Sequence, residues 1–490
     1  MATRSFAGIL SLFLIFLGSG AMATEFPALS ALRAEGALVS ALAVRLGENR
    51  VLATSEPERP LSPASVTKLY TAAAALETWG PEHRFSTYLY VRGPLRNGQL
   101  DGDLVLRGGG DPALTEDKLR FLAEEAARLG LREVTGGLVV DDSRFGPLDC
   151  NVKDRCEAEA GTINSYDAPI SAVGVNFSNV AVLVVPGEKP GDPARVALDP
   201  TELPSLALEA KVKTVARGGQ LFVGRVTRGD RDILQVTGSI NVDRGPVRVW
   251  RSIANASLHT GELFLHFLTR AGITVKGETQ VESTVSGVGE PLADVEGQPL
   301  WQTLHDMQRF SNNVIADAMA LSLLAEREDA PVPLTIAAAG GNLQSYGQEI
   351  STNSSLPSSR ASELTLFDGS GLIPENRVSA RDLVALLAHI YDRYALFPSF
   401  LGSLVVPEFA AGRSLRRTRD PDWLQRLAVK SGGLGEPVSV VTLAGYLRLP
   451  DGSWCAFATL VNGTPKRRSV SRAKVFEAIR KDLARLPAAQ

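Results

Sequence analysis

The sequence has few of the residues that metalloproteins and imidazole-dependent hydrolases use for chemistry. Of its 490 residues, 5 are histidine and 3 are cysteine. No group of them has zinc-ligand spacing, so neither a metal site nor a metal cofactor is predicted. A Ser-His-Asp triad is also disfavoured, because the histidines are scattered and none has a recognisable catalytic context: His83, His259, His266, His305 and His389.

Net charge and long apolar runs are scarce as well. The formal net charge is only -3, which disfavours nucleic acid as a partner. After the N-terminus, no run is apolar for long enough to cross a membrane. We therefore expect a soluble protein once any N-terminal signal has been removed.

The N-terminus has the pattern of a secretory signal peptide. Arg4 precedes a continuous apolar run, Phe6 to Leu17, and Ala21-Met22-Ala23 supplies an A-x-A cleavage signal. An anchoring helix is the alternative, but the run is short for a bilayer span. The sequence therefore predicts a signal peptide over residues 1–23, cleavage after Ala23, and export to the cell envelope.

Export makes disulfides permissible. Cys150 and Cys156 lie close together in LDCNVKDRCEAE. They could form a local disulfide loop or remain as two free thiols, and the sequence does not favour either alternative. Cys455 lies in an alternating, strand-like stretch and is interpreted as a buried free thiol.

The hydrophobic pattern indicates a chain whose two ends form one domain around an insert. Strands over Leu38–Val51 and a helix over Pro63–Trp79 come first, and residues 86–250 are rich in short strands. Helical periodicity begins near Leu258, and the chain ends as strand, strand and helix. We expect a domain formed by residues 24–85 and 258–490, with a β-rich region, 86–257, inserted into it.

The segment LSPASVTKLY carries the first chemical motif. Ser62 is a suitable helix N-cap and Pro63 suits the first helical position. Ser65 then falls in the first turn, and Lys68 follows one turn later on the same face. A serine hydroxyl is a weak nucleophile unless a base lies beside it, and a lysine can be that base. The alternative is a surface turn, because Ser-x-x-Lys is common by chance.

Two further segments favour the catalytic interpretation. RFSNNVIAD places Ser311 and Asn313 two residues apart, and LAVKSGGLG contains Lys430-Ser431-Gly432 at a predicted strand. Each segment is weak evidence by itself. Their order along the chain is that of the three motifs of penicillin-recognising serine acyltransferases.

The chain resembles D-alanyl-D-alanine carboxypeptidases/endopeptidases of the penicillin-binding protein 4 type, the class C low-molecular-mass penicillin-binding proteins. Nearly all of the chain after the predicted signal peptide takes part in the resemblance. It is carried by LSPASVTKLYTAAAAL, LRGGGDPALT, YDAPISAVGVNFSNVAVLVVPG, DGSGLIPENRVSARDL and VVTLAGYL.

The resemblance implies an α/β (α+β) fold: a transpeptidase-like domain with a five-stranded antiparallel sheet between helices, and two mostly-β domains inserted in it. It implies hydrolysis of peptidoglycan stem peptides at D-Ala-D-Ala ends or D,D-cross-links through a serine acyl-enzyme, without any cofactor. β-Lactams would be covalent inhibitors, and the location would be the periplasm.

The resemblance also implies a role for each motif residue. Ser65 attacks the peptide carbonyl and Lys68 takes its proton. The other roles follow residue by residue: Ser311 passes the proton to the leaving amine, Asn313 holds Lys68 and the substrate amide, Lys430 and Ser431 of the Lys430-Ser431-Gly432 motif bind the terminal carboxylate, and the N–H groups of Ser65 and Gly433 form the oxyanion hole.

Three aspartates in the matching segments have more modest expected roles. Asp167 is implied to contact the side chain of the diamino acid, although a turn-capping role is equally open. Asp111 and Asp368 are expected to order turns, where Gly369 and Gly371 permit a tight backbone.

The chain departs from the family pattern at the third motif. Lys-Ser-Gly replaces the usual Lys-Thr-Gly, the following turn is rich in glycine, and AAGRSLRRT replaces an Asp-Gly-Thr/Ser-Leu segment. Two rival functions share the fold: a β-lactamase or esterase, and a scaffold without activity. The long insert and Ser311, where many such hydrolases carry tyrosine, argue against the first, and the intact motif residues argue against the second. The basic C-terminal helix is expected to pack on the sheet, with loose membrane association as the alternative.

Overall fold

The computed structural model describes residues 24–148, 156–157, 161–409 and 420–486. The predicted signal peptide, Cys150 and the segment AAGRSLRRT lie outside these residues. Cys156 is disulfide-bonded. Cys455 is free and buried, as predicted, and burial raises the pKa of its thiol to about 12.

The helices of the described chain are amphipathic except where they are central. They are α1 (Pro27–Ala34), α2 (Lys68–Trp79), α3 (Glu116–Arg128), α4 (Ala256–Arg270), α5 (Leu300–Phe310), α6 (Asn313–Ala325), α7 (Ile336–Asn353), α8 (Ala380–Tyr391), α9 (Phe397–Ser403), α10 (Pro421–Gln425) and α11 (Arg472–Leu483).

The strands are short in the middle of the chain and longer near its ends. They are β1 (Thr24–Glu25), β2 (Leu38–Arg45), β3 (Arg50–Ser55), β4 (Ser86–Arg92), β5 (Leu95–Arg96), β6 (Gln99–Leu100), β7 (Asp103–Gly108), β8 (Glu133–Val134), β9 (Leu138–Asp141), β10 (Gly161–Thr162), β11 (Asn179–Val185), β12 (Arg195–Asp199), β13 (Leu206–Val215), β14 (Leu221–Arg228), β15 (Arg231–Asn241), β16 (Val247–Ser252), β17 (Thr274–Val275), β18 (Thr279–Glu282), β19 (Ala293–Glu296), β20 (Leu427–Leu434), β21 (Val440–Arg448) and β22 (Trp454–Asn462).

The largest sheet joins the two ends of the chain. Its order is β1-β3-β2-β22-β21-β20, and all of its pairs are antiparallel except the two-residue edge strand β1, which runs parallel to β3. The predicted five-stranded antiparallel sheet is therefore confirmed, with one short strand added. The central strands β21 and β22 are buried almost throughout, because helices cover both faces.

The two faces of this sheet are covered by different helices. On one face α1 and α11 pack against it, and the apolar side chains of α11, among them Phe476 and Ile479, are buried there as predicted. On the other face lie α2, α6, α7 and α8. Helix α6 is mostly apolar and is buried over nearly its whole length, as expected for a central helix. In the described part of the chain, no helix combines the length and hydropathy that a membrane span requires.

The inserted region contains its own sheets and core. A five-stranded sheet, β18-β9-β7-β4-β19, is packed with α3 and α4, and beside it lies the small sheet β17-β8-β6-β5. A three-stranded sheet, β12-β11-β16, and a four-stranded sheet, β10-β14-β15-β13, form the rest. Mostly-β inserts agree with the predicted fold class.

Two strands that follow residue 257 pair with strands of this region. Strand β18 pairs with β9, and β19 pairs with β4. Helix α4 also packs on α3. The helical periodicity after Leu258 indicates α4 correctly, but a helix pattern alone does not show which sheet covers it.

Candidate active site

Ser65 lies in a single 3-10 turn, Ala64–Thr67, that leads into α2. Ala64 has a φ of 49°, in the left-handed region that residues with a Cβ rarely adopt. The turn is held from the sheet by Thr442, whose hydroxyl donates to the carbonyl oxygen of Pro63 at 2.8 Å. Ser62 does not cap the helix, which contradicts the sequence prediction, because the 3-10 turn starts only after Pro63 and has no side-chain cap. A strained and tethered backbone thus presents Ser65.

Lys68 is fully buried beside this turn. Its Nζ lies 3.4 Å from the Oγ of Ser65. It donates to the Oδ1 of Asn313 and to the carbonyl oxygen of Ser370, each at 2.7 Å. These contacts hold the amine next to the serine hydroxyl, as the i, i+3 spacing predicts.

Ser311 and Asn313 flank a break between two helices. Ser311 ends α5 with a φ of 52° and a ψ of 41°, and the side chain of Asn312 caps α6 by accepting from the N–H of Ile315 at 3.1 Å. Periodicity alone does not show this left-handed residue. Because of it, α6 starts in a new direction, and Asn313, at its first position, reaches Lys68.

Lys430 joins the third motif to the second. Its Nζ donates to the Oγ of Ser311 and to the carbonyl oxygen of Ser431, both at 2.8 Å. The side chain is buried. Burial, followed by repulsion from Lys68 and Arg472, places the pKa of Lys430 well below its ordinary value. Lys430 therefore carries its charge at a cost in free energy.

Gly432 lies against the nucleophile turn. A Cβ at this position would lie 2.8 Å from the backbone N of Ser65 and 2.4 Å from the Oγ1 of Thr442, so no larger residue fits without movement. Side chains alternate along a strand. Gly432 and Lys430 thus share the face toward Ser65, and Ser431 lies on the opposite face.

Strand β20 also presents backbone donors to the site. The N–H and C=O of Val429 bond with Val405, on the side away from β21. Backbone groups alternate in direction along an antiparallel strand, so those of Ser431 and Gly433 point to this outer edge too. The N–H of Gly433 is therefore directed away from β21, where an oxyanion donor is needed.

The Asp-Gly-Ser-Gly segment, which the sequence predicts only to form turns, also contacts the site. Asp368 is buried and orders the turn, as predicted, by accepting from the N–H groups of Gly371, Leu372 and Ile373 at 2.8–3.0 Å. Burial, together with repulsion from Asp317, raises its pKa. The contact that was missed is the carbonyl oxygen of Ser370, which accepts from Lys68. A backbone acceptor leaves no signature in side-chain identity.

Asp167 lies apart from the motif residues, in the wall of a cleft. Its Oδ2 accepts from the hydroxyl of Thr162 and the amide of Asn164, both at 3.2 Å. The cleft has a volume of about 470 Å³ and is also lined by Tyr166 and Arg225. The carbonyl oxygen of Tyr166 accepts from the Nδ2 of Asn313 at 3.2 Å, so the cleft adjoins the motif residues.

The structure brings the three motifs together. Ser65, Lys68 and Asn313 form one hydrogen-bonded group, and Ser311 and Lys430 form a second. The two groups are joined through the short segment from Ser311 to Asn313. A hydroxyl beside a buried amine, with cations and backbone donors around it, is suited to acyl transfer.

Comparison with known proteins finds carboxypeptidases that match nearly the whole chain. The model of the D-Ala-D-Ala carboxypeptidase 3 (S13) family matches residues 26–485. A D-alanyl-D-alanine carboxypeptidase from Actinomadura sp. (strain R39) is 31% identical over 450 residues, which cover 88% of this chain and 78% of the relative. D-alanyl-D-alanine carboxypeptidase DacB from Haemophilus influenzae is 25% identical over 440 residues, covering 88% of this chain and 86% of that protein.

The fold agrees with a solved structure. The crystal structure of penicillin binding protein 4 (dacB) from Haemophilus influenzae superposes with a TM-score of 0.73 at 23% identity, covering 92% of this chain and 97% of that one. The chain therefore belongs to the D-Ala-D-Ala carboxypeptidase 3 (S13) family of serine peptidases, as its three motifs predict.

Proposed function

We propose that Ser65 is the nucleophile of a D-Ala-D-Ala carboxypeptidase and D,D-endopeptidase, and that Lys68 is its general base. The observation that carries the proposal is the set of contacts around the Nζ of Lys68. A neutral amine has two N–H bonds and one lone pair. The carbonyl oxygens of Asn313 and Ser370, each at 2.7 Å, can accept both N–H bonds. The lone pair is then available to the hydroxyl of Ser65 at 3.4 Å.

The electrostatics support a neutral amine in this position. Lys430 and Lys68 repel each other, and their repulsion disfavours the state in which both are protonated. Charge repulsion between the two amines therefore favours a neutral Lys68, which can act as a base.

The reaction follows from this arrangement. The Oγ of Ser65 attacks the carbonyl carbon of the penultimate D-alanine, and Lys68 takes the hydroxyl proton. The N–H groups of Ser65 and Gly433 stabilise the oxyanion. The C–N bond then breaks as Ser311 delivers its hydroxyl proton to the leaving amine and takes the proton held by Lys68, which restores the neutral amine of Lys68. Water finally hydrolyses the ester and restores the Ser65 hydroxyl.

Substrate recognition uses both strand β20 and the cleft at Asp167. Lys430 and Ser431 bind the carboxylate of the leaving residue, because a cation and a hydroxyl suit an anion. Asp167 binds the side-chain amine of the diamino acid. A free D-alanine leaving group makes the reaction a carboxypeptidase step, and a cross-linked side-chain amine makes it an endopeptidase step.

The proposal includes the location and the domain organisation. The pattern over residues 1–23 supports export to the periplasm, where peptidoglycan is found. Burial of the apolar face of α11 against the sheet supports packing rather than membrane anchoring. The strand pairings of β18 and β19 support an inserted region of residues 86–296, with the catalytic domain formed by 24–85 and 297–490.

A covalent label tests the nucleophile. The wild-type protein, Ser65→Ala and Ser62→Ala are each incubated with a fluorescent penicillin and run on a denaturing gel. We expect a band from the wild type and from Ser62→Ala, whose hydroxyl caps no helix, and none from Ser65→Ala. No band from a folded wild type would contradict the proposal. In that case, rapid loss of free penicillin would indicate a β-lactamase, and intact penicillin would indicate a scaffold.

A further inference from the structure

Arg472, at the first position of α11, lies beside the third motif without an ionic partner. Its guanidinium lies over β20: a Cβ at Gly433 would be 3.5 Å from its Nη1 and 3.8 Å from its Cζ. It contacts the ring of Phe476 at 5.4 Å. Within the described ranges, it makes no hydrogen bond or ion pair.

This is an unfavourable place for a cation. The N-terminus of a helix carries a partial positive charge, which repels cations by about 0.3–1 kcal/mol, and the first turn of α11 has no acidic residue. Arg472 also repels Lys430 and contributes to its lowered pKa. Across the described chain, neither Arg472 nor Lys430 pairs with a carboxylate. The excess of positive charge at this edge suits an anionic ligand.

The geometry identifies which part of the site Arg472 faces. Gly433 and Ser431 share the face of β20 opposite Lys430, because side chains alternate along the strand, and α11 packs on this face of the sheet. Gly433 has no side chain, which leaves room for the guanidinium. Arg472 is thus on the same side as the Ser431 hydroxyl, near the edge where the backbone of Gly433 is presented.

We propose that Arg472 is a substrate-binding residue that recognises the carboxylate of the leaving residue together with Lys430 and Ser431. The inference rests on the proposed function and adds a residue to its carboxylate site. A planar guanidinium offers two parallel N–H donors to one carboxylate, which a lysine cannot do. Arg472 thereby provides selectivity for stem peptides whose leaving residue is anionic.

A matched pair of substrates tests the proposal. Two peptide thioesters are used whose leaving groups differ only in ending with a carboxylate or a carboxamide; thioesters acylate serine more readily than amides do, so both rates are measurable. The proteins are the wild type, Arg472→Gln, Arg472→Lys, Lys474→Gln and Ser65→Ala. Lys474 lies in the same helical turn and is exposed, so its variant is the control.

We expect Arg472→Gln to lower kcat/KM by about 10- to 100-fold for the carboxylate substrate, as for loss of a charge-assisted hydrogen bond, and by less than about twofold for the carboxamide. Arg472→Lys should recover part of the preference, and Lys474→Gln should keep all of it. The ratio of the two rates does not depend on the folded fraction.

Equal losses for both substrates, or no loss for either, would overturn the role of Arg472. Failure of the proposed function would look different: Ser65→Ala would then turn over the carboxylate substrate as fast as the wild type does.

Discussion

The pocket around Ser65 and the cleft at Asp167 adjoin each other, yet the hydrogen bonding of their buried basic side chains differs. In the pocket, Lys68 and Lys430 each donate to two acceptors within 2.8 Å. In the cleft, the side chain of Arg225 is wholly buried, but only its Nη1 forms hydrogen bonds, one of them to Asp232 at 2.8 Å. Its Nε and Nη2 have no partner in the described structure.

This difference concerns how far each region is preorganised. A preorganised site stabilises a transition state without reorganising at the moment of reaction, and the pocket meets this condition through its internal hydrogen bonds. A buried donor without an acceptor is costly, so the cleft is less completely hydrogen-bonded than the pocket. The contrast supports the proposal that the pocket performs the chemistry and that the cleft contributes to recognition.

The largest effect is expected when the pocket loses its base. Lys68→Met keeps the bulk of the buried side chain but removes the amine, and should lower the rate of acylation by penicillin by about 10²- to 10⁴-fold. Stopped-flow or gel-based acylation kinetics measure this rate, with circular dichroism as the check on folding. An acylation rate within a few fold of wild type would show that the base lies elsewhere.

A slightly smaller loss of acylation rate is expected from Gly432→Ala, which adds one methyl group. The Cβ of Gly432→Ala would press on the N of Ser65 and the hydroxyl of Thr442. A displacement of about 1 Å at a reacting group can lower the rate by about 10²-fold. Gly435→Ala is the control, because its Cβ would meet nothing within 4 Å. Equal acylation rates for the two variants would contradict the idea that the pocket depends on an exact backbone position.

Much of this pocket could be predicted from side-chain identity, and the remainder depends on the backbone. The three motifs indicate Ser65, Lys68, Ser311, Asn313 and Lys430 because their residue types carry the chemistry. The left-handed conformations of Ala64 and Ser311 and the carbonyl contact of Ser370 have no such signature. Tertiary packing determines these backbone conformations and this contact, so residue types alone do not predict them.

The same distinction applies to the extent of the insert, which we propose to reach residue 296. Periodicity predicts the helix that follows residue 257, but sheet membership depends on pairing between distant residues. The pairs Thr279–Leu138 and Ala293–Leu89 are separated by more than a hundred residues, and a local pattern cannot report them.

A loss of kcat/KM of intermediate size is expected from a substitution in the cleft. Asp167→Asn keeps the size of the side chain but removes its charge, and should lower kcat/KM about 10-fold for a stem peptide with a free side-chain amine, since a charge-assisted hydrogen bond is lost. Acylation by benzylpenicillin, which lacks that amine, should change less than about twofold. The control substrate is the same peptide with its amine acetylated. An equal loss for both peptides would mean that Asp167 only supports the local fold, through Thr162 and Asn164.

The smallest effect is expected on stability, from a substitution in α2, the helix that carries Lys68. At its far end, Glu77 accepts from His389 at 2.9 Å, Tyr346 at 2.7 Å and Arg393 at 3.0 Å. Burial acts to raise the pKa of Glu77, but these bonds outweigh it and lower the pKa from 4.5 to about 2. The folded carboxylate thus holds its proton less tightly than the unfolded one. Its stabilising contribution is complete above about pH 4.5 and is lost as the pH falls toward about 2.

We therefore expect Glu77→Gln to lower the free energy of unfolding at pH 7 by about 1 kcal/mol, after allowing for solvent screening of a partly exposed group. Urea unfolding between pH 7 and pH 3 measures the difference, which should shrink below about pH 4.5. Glu349→Gln removes an exposed carboxylate from the neighbouring helix α7 and should change little. Penicillin acylation by Glu77→Gln at pH 7 should match the wild type, because the contacts of Asn313 and Ser370 hold Lys68 locally. A slower acylation would instead show that the pocket draws its geometry from the whole length of α2.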